Sequence, residues 1–241
     1  MHVTIKLNKQ NNMAQQQKKK DDGFEQLESA LTNGEQFIEK NQKMIVNVIL
    51  ALLVIVLAYF AYNRFVSAPK TEEAANQIFG AQNQFARDSF NLALHGDGNT
   101  LGFLEIIERY GSTPSGNLAH YYAGLSYLRL GEYENAIRHL KKFSADDFLL
   151  ANMALANIGD AYMQLGDYPA AASHYAKAAA SNANDFSTPM FLQKNGLALE
   201  KTGDYAGALK CYRRINSDFP NSSEARDIEK YIQRAELNIK K

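Results

Sequence analysis

The feature that most limits how this chain can fold is a pair of glycines that recurs three times in register. Gly124 and Gly131, Gly159 and Gly166, and Gly196 and Gly203 each lie seven residues apart, and the second glycines follow one another at 35 and 37 residues. An acid and a tyrosine follow each second glycine: Glu132-Tyr133, Asp167-Tyr168 and Asp204-Tyr205. Three residues after each tyrosine stands an alanine, at 136, 171 and 208. Each position has a physical reading. A glycine inside a helix costs about 1 kcal/mol relative to alanine, so a conserved register of three implies close helix approach. The second glycine supplies the left-handed residue that ends a helix. The following acid starts the next helix, as an N-cap or by favouring its positive dipole end. The tyrosine fills the angle between the two helices, and the small alanine lets them close.

The pattern resembles the tetratricopeptide repeat (TPR), a helix–turn–helix unit of about 34 residues that stacks into a solenoid. It predicts an all-α chain in which a single N-terminal transmembrane helix is followed by a TPR α-solenoid. Three repeats are clear, at about 117–149, 150–186 and 187–220. Residues 71–116 read as a degenerate earlier unit: one helix from about Thr71 to Leu94, a loop around Gly96-Asp97-Gly98, then Phe103, Ile107 and Tyr110 before Pro114. Pro189 suits the first turn of a helix and Pro220 stops one. Residues 221–241 read as a capping helix, with Asn221 and Glu224 at capping-box spacing and Ile228, Ile232 and Ala235 covering the last repeat.

Ahead of the repeats the chain changes character. Residues 44–62 form a run of nineteen without a charge, twelve of them Leu, Ile, Val or Phe. As a helix the run spans roughly 28 Å, against a hydrocarbon core of about 30 Å. Those twelve side chains favour insertion by about 4 to 7 kcal/mol in sum. Lys43 and Arg64 bracket the span, and Tyr59 and Tyr62 sit at its far end, where aromatic rings favour headgroups. A cleaved signal peptide fits poorly. The polar segment before the run is over forty residues, and Pro69 directly follows the small residues Ser67 and Ala68. An uncleaved signal anchor is the better reading. Lysines outnumber acids only slightly before the span, seven against six, which leans towards a cytoplasmic N-terminus. Residues 1–23 are a polar tail expected to be disordered, with Met13-Ala14 its apolar pair after Leu7 and the natural start of translation by this reading. N-terminal sequencing of the native protein tests that start. Residues 24–43 read as a juxtamembrane helix, either interfacial or merely connecting, and residues 63–241 as the TPR domain.

The whole layout resembles a narrower family. Phe37-Ile38-Glu39-Lys40-Asn41-Gln42-Lys43, the apolar span, an Ala/Gln-rich helix and the repeats look like the ancillary TPR subunit of the bacterial Sec translocon, over most of residues 24–241. That resemblance implies an inner-membrane anchor, repeats in the periplasm, and translocon subunits and periplasmic chaperones as partners. It brings no catalytic motif. A scaffold coordinating cell division, cell-wall synthesis or outer-membrane assembly is the alternative, and a cytosolic chaperone-docking module a third.

The sequence gives little room for other chemistry. Lysine plus arginine equals aspartate plus glutamate at 26 each, so no overall field draws nucleic acid. A lone cysteine, Cys211, rules out an internal disulfide or a cysteine-built zinc site. His95, His120, His139 and His174 lack helical partners of ligand type, and Gly96-Asp97-Gly98 lacks the strand and third glycine of a dinucleotide loop. No enzyme, cofactor, metal or small-molecule substrate is expected. The partners expected are proteins, including extended peptide segments, together with membrane lipid around residues 44–62. In such a solenoid the first helix of each pair lines the concave face. Taking the first glycine as reference, the groove positions are Tyr121, Leu125 and Arg129, then Ala156, Asp160 and Gln164, then Gln193, Leu197 and Lys201. Arg129, Gln164 and Lys201 are equivalent, a mildly basic stripe suited to a carboxylate.

Overall fold

The computed structural model describes residues 39–181 and 183–240. The polar tail and the juxtamembrane residues before Glu39 lie outside the described residues. The chain divides into two units, residues 1–65 and 66–241. In the first unit, residues 39–62 form α1 and Asn63–Ser67 continue in π-helical form. One helix among the described residues is long and apolar enough to cross a membrane, and nothing covers its apolar window. Its leucines, isoleucines and valines stand exposed along the whole run, as lipid-facing side chains do.

The second unit is built from α2 (Ala68–Ala86), α3 (Phe90–His95), α4 (Phe103–Tyr110), α5 (Pro114–Leu130), α6 (Tyr133–Leu140), α7 (Phe148–Leu165), α8 (Tyr168–Ala180), α9 (Thr188–Thr202), α10 (Tyr205–Asp218) and α11 (Ile228–Ile239). There is no strand among the described residues. Three hairpins, α5–α6, α7–α8 and α9–α10, carry the glycine register. Gly131, Gly166 and Gly203 end α5, α7 and α9 at φ of 81°, 77° and 84°, the left-handed region. The next residue's amide donates to the carbonyl five residues back: Glu132 to Tyr127 O at 2.9 Å, and Asp167 to Tyr162 O and Asp204 to Leu199 O at 3.0 Å. Asp167 and Asp204 then cap α8 and α10 through the amides of Ala170 and Gly207. Glu132 does not: one methylene longer, its carboxylate accepts from Asn135 Nδ2 instead, and α6 starts without a side-chain cap.

The first glycine of each pair marks close approach. A Cβ on Gly124 would stand 2.5 Å from Leu140, and one on Gly159 2.7 Å from the Tyr175 ring. Gly196 meets Tyr212 in the same way. Ala136, Ala171 and Ala208 are completely buried. The buried apolar residues form three clusters along the array, bridged by half-buried side chains such as Leu128 and Tyr162, and no single hairpin closes one by itself.

Two details depart from the sequence reading. The single helix expected over Thr71–Leu94 is broken at Asp88, which takes a left-handed φ of 56°. Aspartate tolerates that region better than most side chains. The corner folds α3 back, so that Ala93 and Leu94 bury against Ala74, Ile78 and Ala81. On α4 the buried face is Phe103, Ile106 and Tyr110, with Ile107 only half-buried. At the other end, the capping helix begins at Ile228, behind a 3-10 turn over Glu224–Asp227. The Asn221–Glu224 box does not form. Ser222 Oγ takes the Ala225 amide, and Glu224 pairs with the Ser223 hydroxyl. Ile228, Ile232 and Ala235 are buried against the last hairpin.

Candidate functional site

A groove of about 660 Å³ opens along α5 and α7. From α5 come Tyr121, Leu125, Leu128 and Arg129; from α7 come Met153, Asn157, Asp160, Met163 and Gln164. The α7 set recurs at three- and four-residue spacing, one stripe of the helix. Tyr175 of α8 and Lys194 of α9 close one wall.

A polar node sits in that wall. Lys194 Nζ lies 2.7 Å from each oxygen of the Asp160 carboxylate. Tyr175 donates its hydroxyl to Asp160 Oδ1 at 2.6 Å, and the Lys194 ammonium stands 5.8 Å from the Tyr175 ring centroid. Burial, then the Asp160 charge and hydrogen bond, push the Tyr175 phenol far above its usual range, so it acts only as a donor. The charge of Asp160 is thus answered inside the protein. Arg129 differs. It is exposed and has no ion-pair partner among the described residues. The groove therefore offers one uncommitted cation, the side-chain amide of Gln164, that of Asn157 with its Nδ2 already donating to Met153 O at 2.8 Å, and soft apolar walls of methionine and leucine.

Of the nine positions named from the glycine register, Tyr121, Leu125, Arg129, Asp160 and Gln164 line this groove. Ala156 does not: it is 3% exposed and packs in the core, and its neighbour Asn157 takes the groove position. Gln193 and Leu197 are half-buried and Lys201 is exposed, all three outside the groove lining. Asn157 and Lys194 share one offset, two residues before the first glycine of their repeat. The facing stripe thus slips round the helix from α5 to α9, which follows from the rotation between successive layers of a solenoid. Lys194, Tyr175 and Asn157 were missed for that reason. Comparing offsets across repeats, rather than carrying one offset through, picks out Lys194 beside Asn157.

Residues 103–146 and 121–186 match one family model of the tetratricopeptide repeat, and residues 194–222 match a second. The chain carries tetratricopeptide repeats. The matches overlay the α4-to-α8 and α9-to-α10 helices, and their stacking is the architecture described above. No curated protein matches the chain. Among the described residues no group of three or more His, Cys, Asp or Glu side chains is placed to hold a metal ion. A tetratricopeptide-repeat array is a protein-interaction module, and no catalytic family is indicated.

Proposed function

We propose that the protein is a membrane-anchored adaptor whose groove along α5 and α7 holds an extended segment of a partner protein. The observation that carries this reading is Arg129, an exposed cation without a counter-ion among the described residues, beside Leu125, Met153 and Met163. An extended segment leaves backbone N–H and C=O groups unpaired. Gln164 meets part of that need, the apolar wall takes one or two side chains, and Arg129 takes a carboxylate. Anisotropy of an immobilised-sequence peptide series tests it: acidic-apolar segments bind, and Arg129→Glu abolishes their preference over basic ones. An Arg129→Glu protein with an unchanged preference would refute it.

We further infer that residues 44–62 anchor the chain in a bacterial inner membrane, N-terminus in the cytoplasm and repeats in the periplasm, ancillary to the Sec translocon and its periplasmic chaperones. The slight excess of lysines ahead of the span, the signal-anchor layout and the resemblance over residues 24–241 support this. Protease accessibility in spheroplasts decides the orientation. Purification of native complexes with the anchor intact decides the partner, since translocon subunits should co-purify. Replacing residues 44–62 by an unrelated span separates this role from an envelope scaffold, because a mere tether tolerates the exchange.

A further inference from the structure

On the face of α7 turned away from the groove lies a second concavity. Ala151, Ala154, Leu155 and Ile158 form its floor, whereas the groove uses Met153, Asn157, Asp160 and Gln164. At 3.6 residues per turn these two sets stand on roughly opposite sides of the helix. The trough measures about 380 Å³. Its origin is the length of α6, which has 8 residues where α8 has 13 and α10 has 14. The chain leaves α6 early, and Asn117 holds the following loop through Ser144 N–H at 3.0 Å and Ser144 O at 2.6 Å. Between Phe143 on one side and His174 on the other, Ala151 and Leu155 on the back of α7 are left half-exposed above the buried Ala154 and Ile158. Phe148, 59% exposed, continues the floor stripe at helical spacing beyond the trough.

Three further features describe what fits there. The lining holds no carboxylate, and its one full charge is Lys141. Lys142 and Lys177 lie nearby, Lys142 acting on the His139 imidazole and Lys177, with Lys141, on that of His174. None of these three lysines forms an ion pair among the described residues. Of the two acids close in sequence, Asp147 caps α7 through the Leu150 amide and Asp146 stands exposed beside Ala145. Lys141 Nζ also lies 3.1 Å from the Tyr162 hydroxyl. The lysines thus outnumber the one acid not engaged in a cap. Second, His174 stacks on Tyr162 at the edge of the lining. Third, apart from Ser144, Lys141 and His174, the lining side chains are apolar. An extended backbone would leave its polar groups unanswered on such a surface. A helix answers them internally.

We propose that this trough docks a short amphipathic helix of a partner protein, with one apolar stripe flanked by Asp or Glu. The apolar stripe lies over Leu155 and Ala151 and buries Phe148. The flanking carboxylates reach Lys141 and Lys177. This interaction is independent of the groove, so one protein holds two segments on opposite faces of α7.

The test uses the full chain in nanodiscs and two synthetic helical peptides with one shared Leu/Phe stripe. One carries glutamate flanks and the other lysine flanks, and binding is read by fluorescence anisotropy. The glutamate peptide binds saturably and more tightly than the lysine peptide. Leu155→Asp weakens it by at least about tenfold, because a charge then faces buried apolar surface. Lys141→Glu, on an exposed side chain, costs about threefold and narrows the gap between the peptides. Circular dichroism melts check that both variants remain folded, and a glutamate peptide whose preference is lost in Arg129→Glu but kept in Leu155→Asp and Lys141→Glu sits in the groove and overturns the proposal. The proposal is overturned by absence of binding, by equal affinity for both peptides, or by indifference to Leu155→Asp and Lys141→Glu together. A photo-crosslinker at position 155 that captures a second copy of this chain, or anionic lipid, overturns it as well.

Discussion

The first hairpin and the two that follow share a backbone but not a chemistry. At the same distance beyond the first glycine, α6 places Leu140 where α8 and α10 place Tyr175 and Tyr212. Both tyrosines fill the gap above their glycine and then reach an acid on the preceding helix, Asp160 at 2.6 Å and Glu200 at 3.1 Å. Leu140 fills the gap and stops. Similarly, Asp167 and Asp204 cap their helices and Glu132 does not. In their place the first hairpin has His120 and His139, whose Nδ1 atoms lie 3.1 Å apart. The lesson is that a repeat's shape is fixed by volume at the glycine contact. The polar additions to it are separable, and each hairpin is held by a different mixture of the two.

That contrast can be broken most forcefully at Tyr212, which is fully buried. Tyr212→Ala should remove about 3–5 kcal/mol of stability in denaturant titration, at least as much as Leu140→Ala. If Tyr212→Ala proves mild, volume at the contact is not what holds the hairpin. Next in size is the polar part alone: Tyr175→Phe keeps the ring and loses one donor to a carboxylate, a loss of about 1.5–3 kcal/mol. Leu140 offers no counterpart to that step. Smaller again are the caps. Asp204→Ala should cost about 1 kcal/mol, whereas Glu132→Ala should fall within about 0.5 kcal/mol of zero; thermal melts of the two variants side by side would expose an error in this ranking.

A last effect, on pH, sets the first two hairpins apart from α9–α10, since burial also lowers the His174 imidazole on α8. Burial, then His120, Lys142 and Arg138, depress the His139 imidazole to about 4. His120 is lowered too, by burial and then Lys142. A histidine whose folded value lies below its unfolded value of about 6.5 binds fewer protons in the folded state. Its contribution is therefore constant above the unfolded value and declines as pH falls from about 6.5 towards 4. Melting temperature should drop across that window, and His139→Gln should flatten part of the drop; a wild-type curve flat from pH 7 to 5 contradicts the assignment.

Much of this was legible in the sequence, for reasons that particular residues show. Gly131, Gly166 and Gly203 announced three helix ends because few other residues adopt their φ. Tyr121, Leu125 and Arg129 could be placed on the groove because the offset from Gly124 is a local, helical quantity. The same offset put Ala156 in the groove and it is in the core, since rotation between layers is set by packing across repeats and leaves no mark within one. The corner at Asp88 lacks a glycine or proline to signal it. His120 and His139 are nineteen residues apart and meet only through the hairpin, so a search for neighbours on one helix passes over them.

The ties between layers have one more consequence. Lys194 joins α9 to Asp160 on α7, and Arg234 joins α11 to Glu200 on α9, each across 34 residues, one repeat length. In a linear array, information about folding passes only between neighbours. Helices α7 to α11 are thus stitched twice and should open to solvent as one cooperative block. Among the described residues no ion pair joins the α5–α6 hairpin to α7, only the Lys141 ammonium at 3.1 Å from the Tyr162 hydroxyl, so deuterium should enter its amides on a schedule of its own.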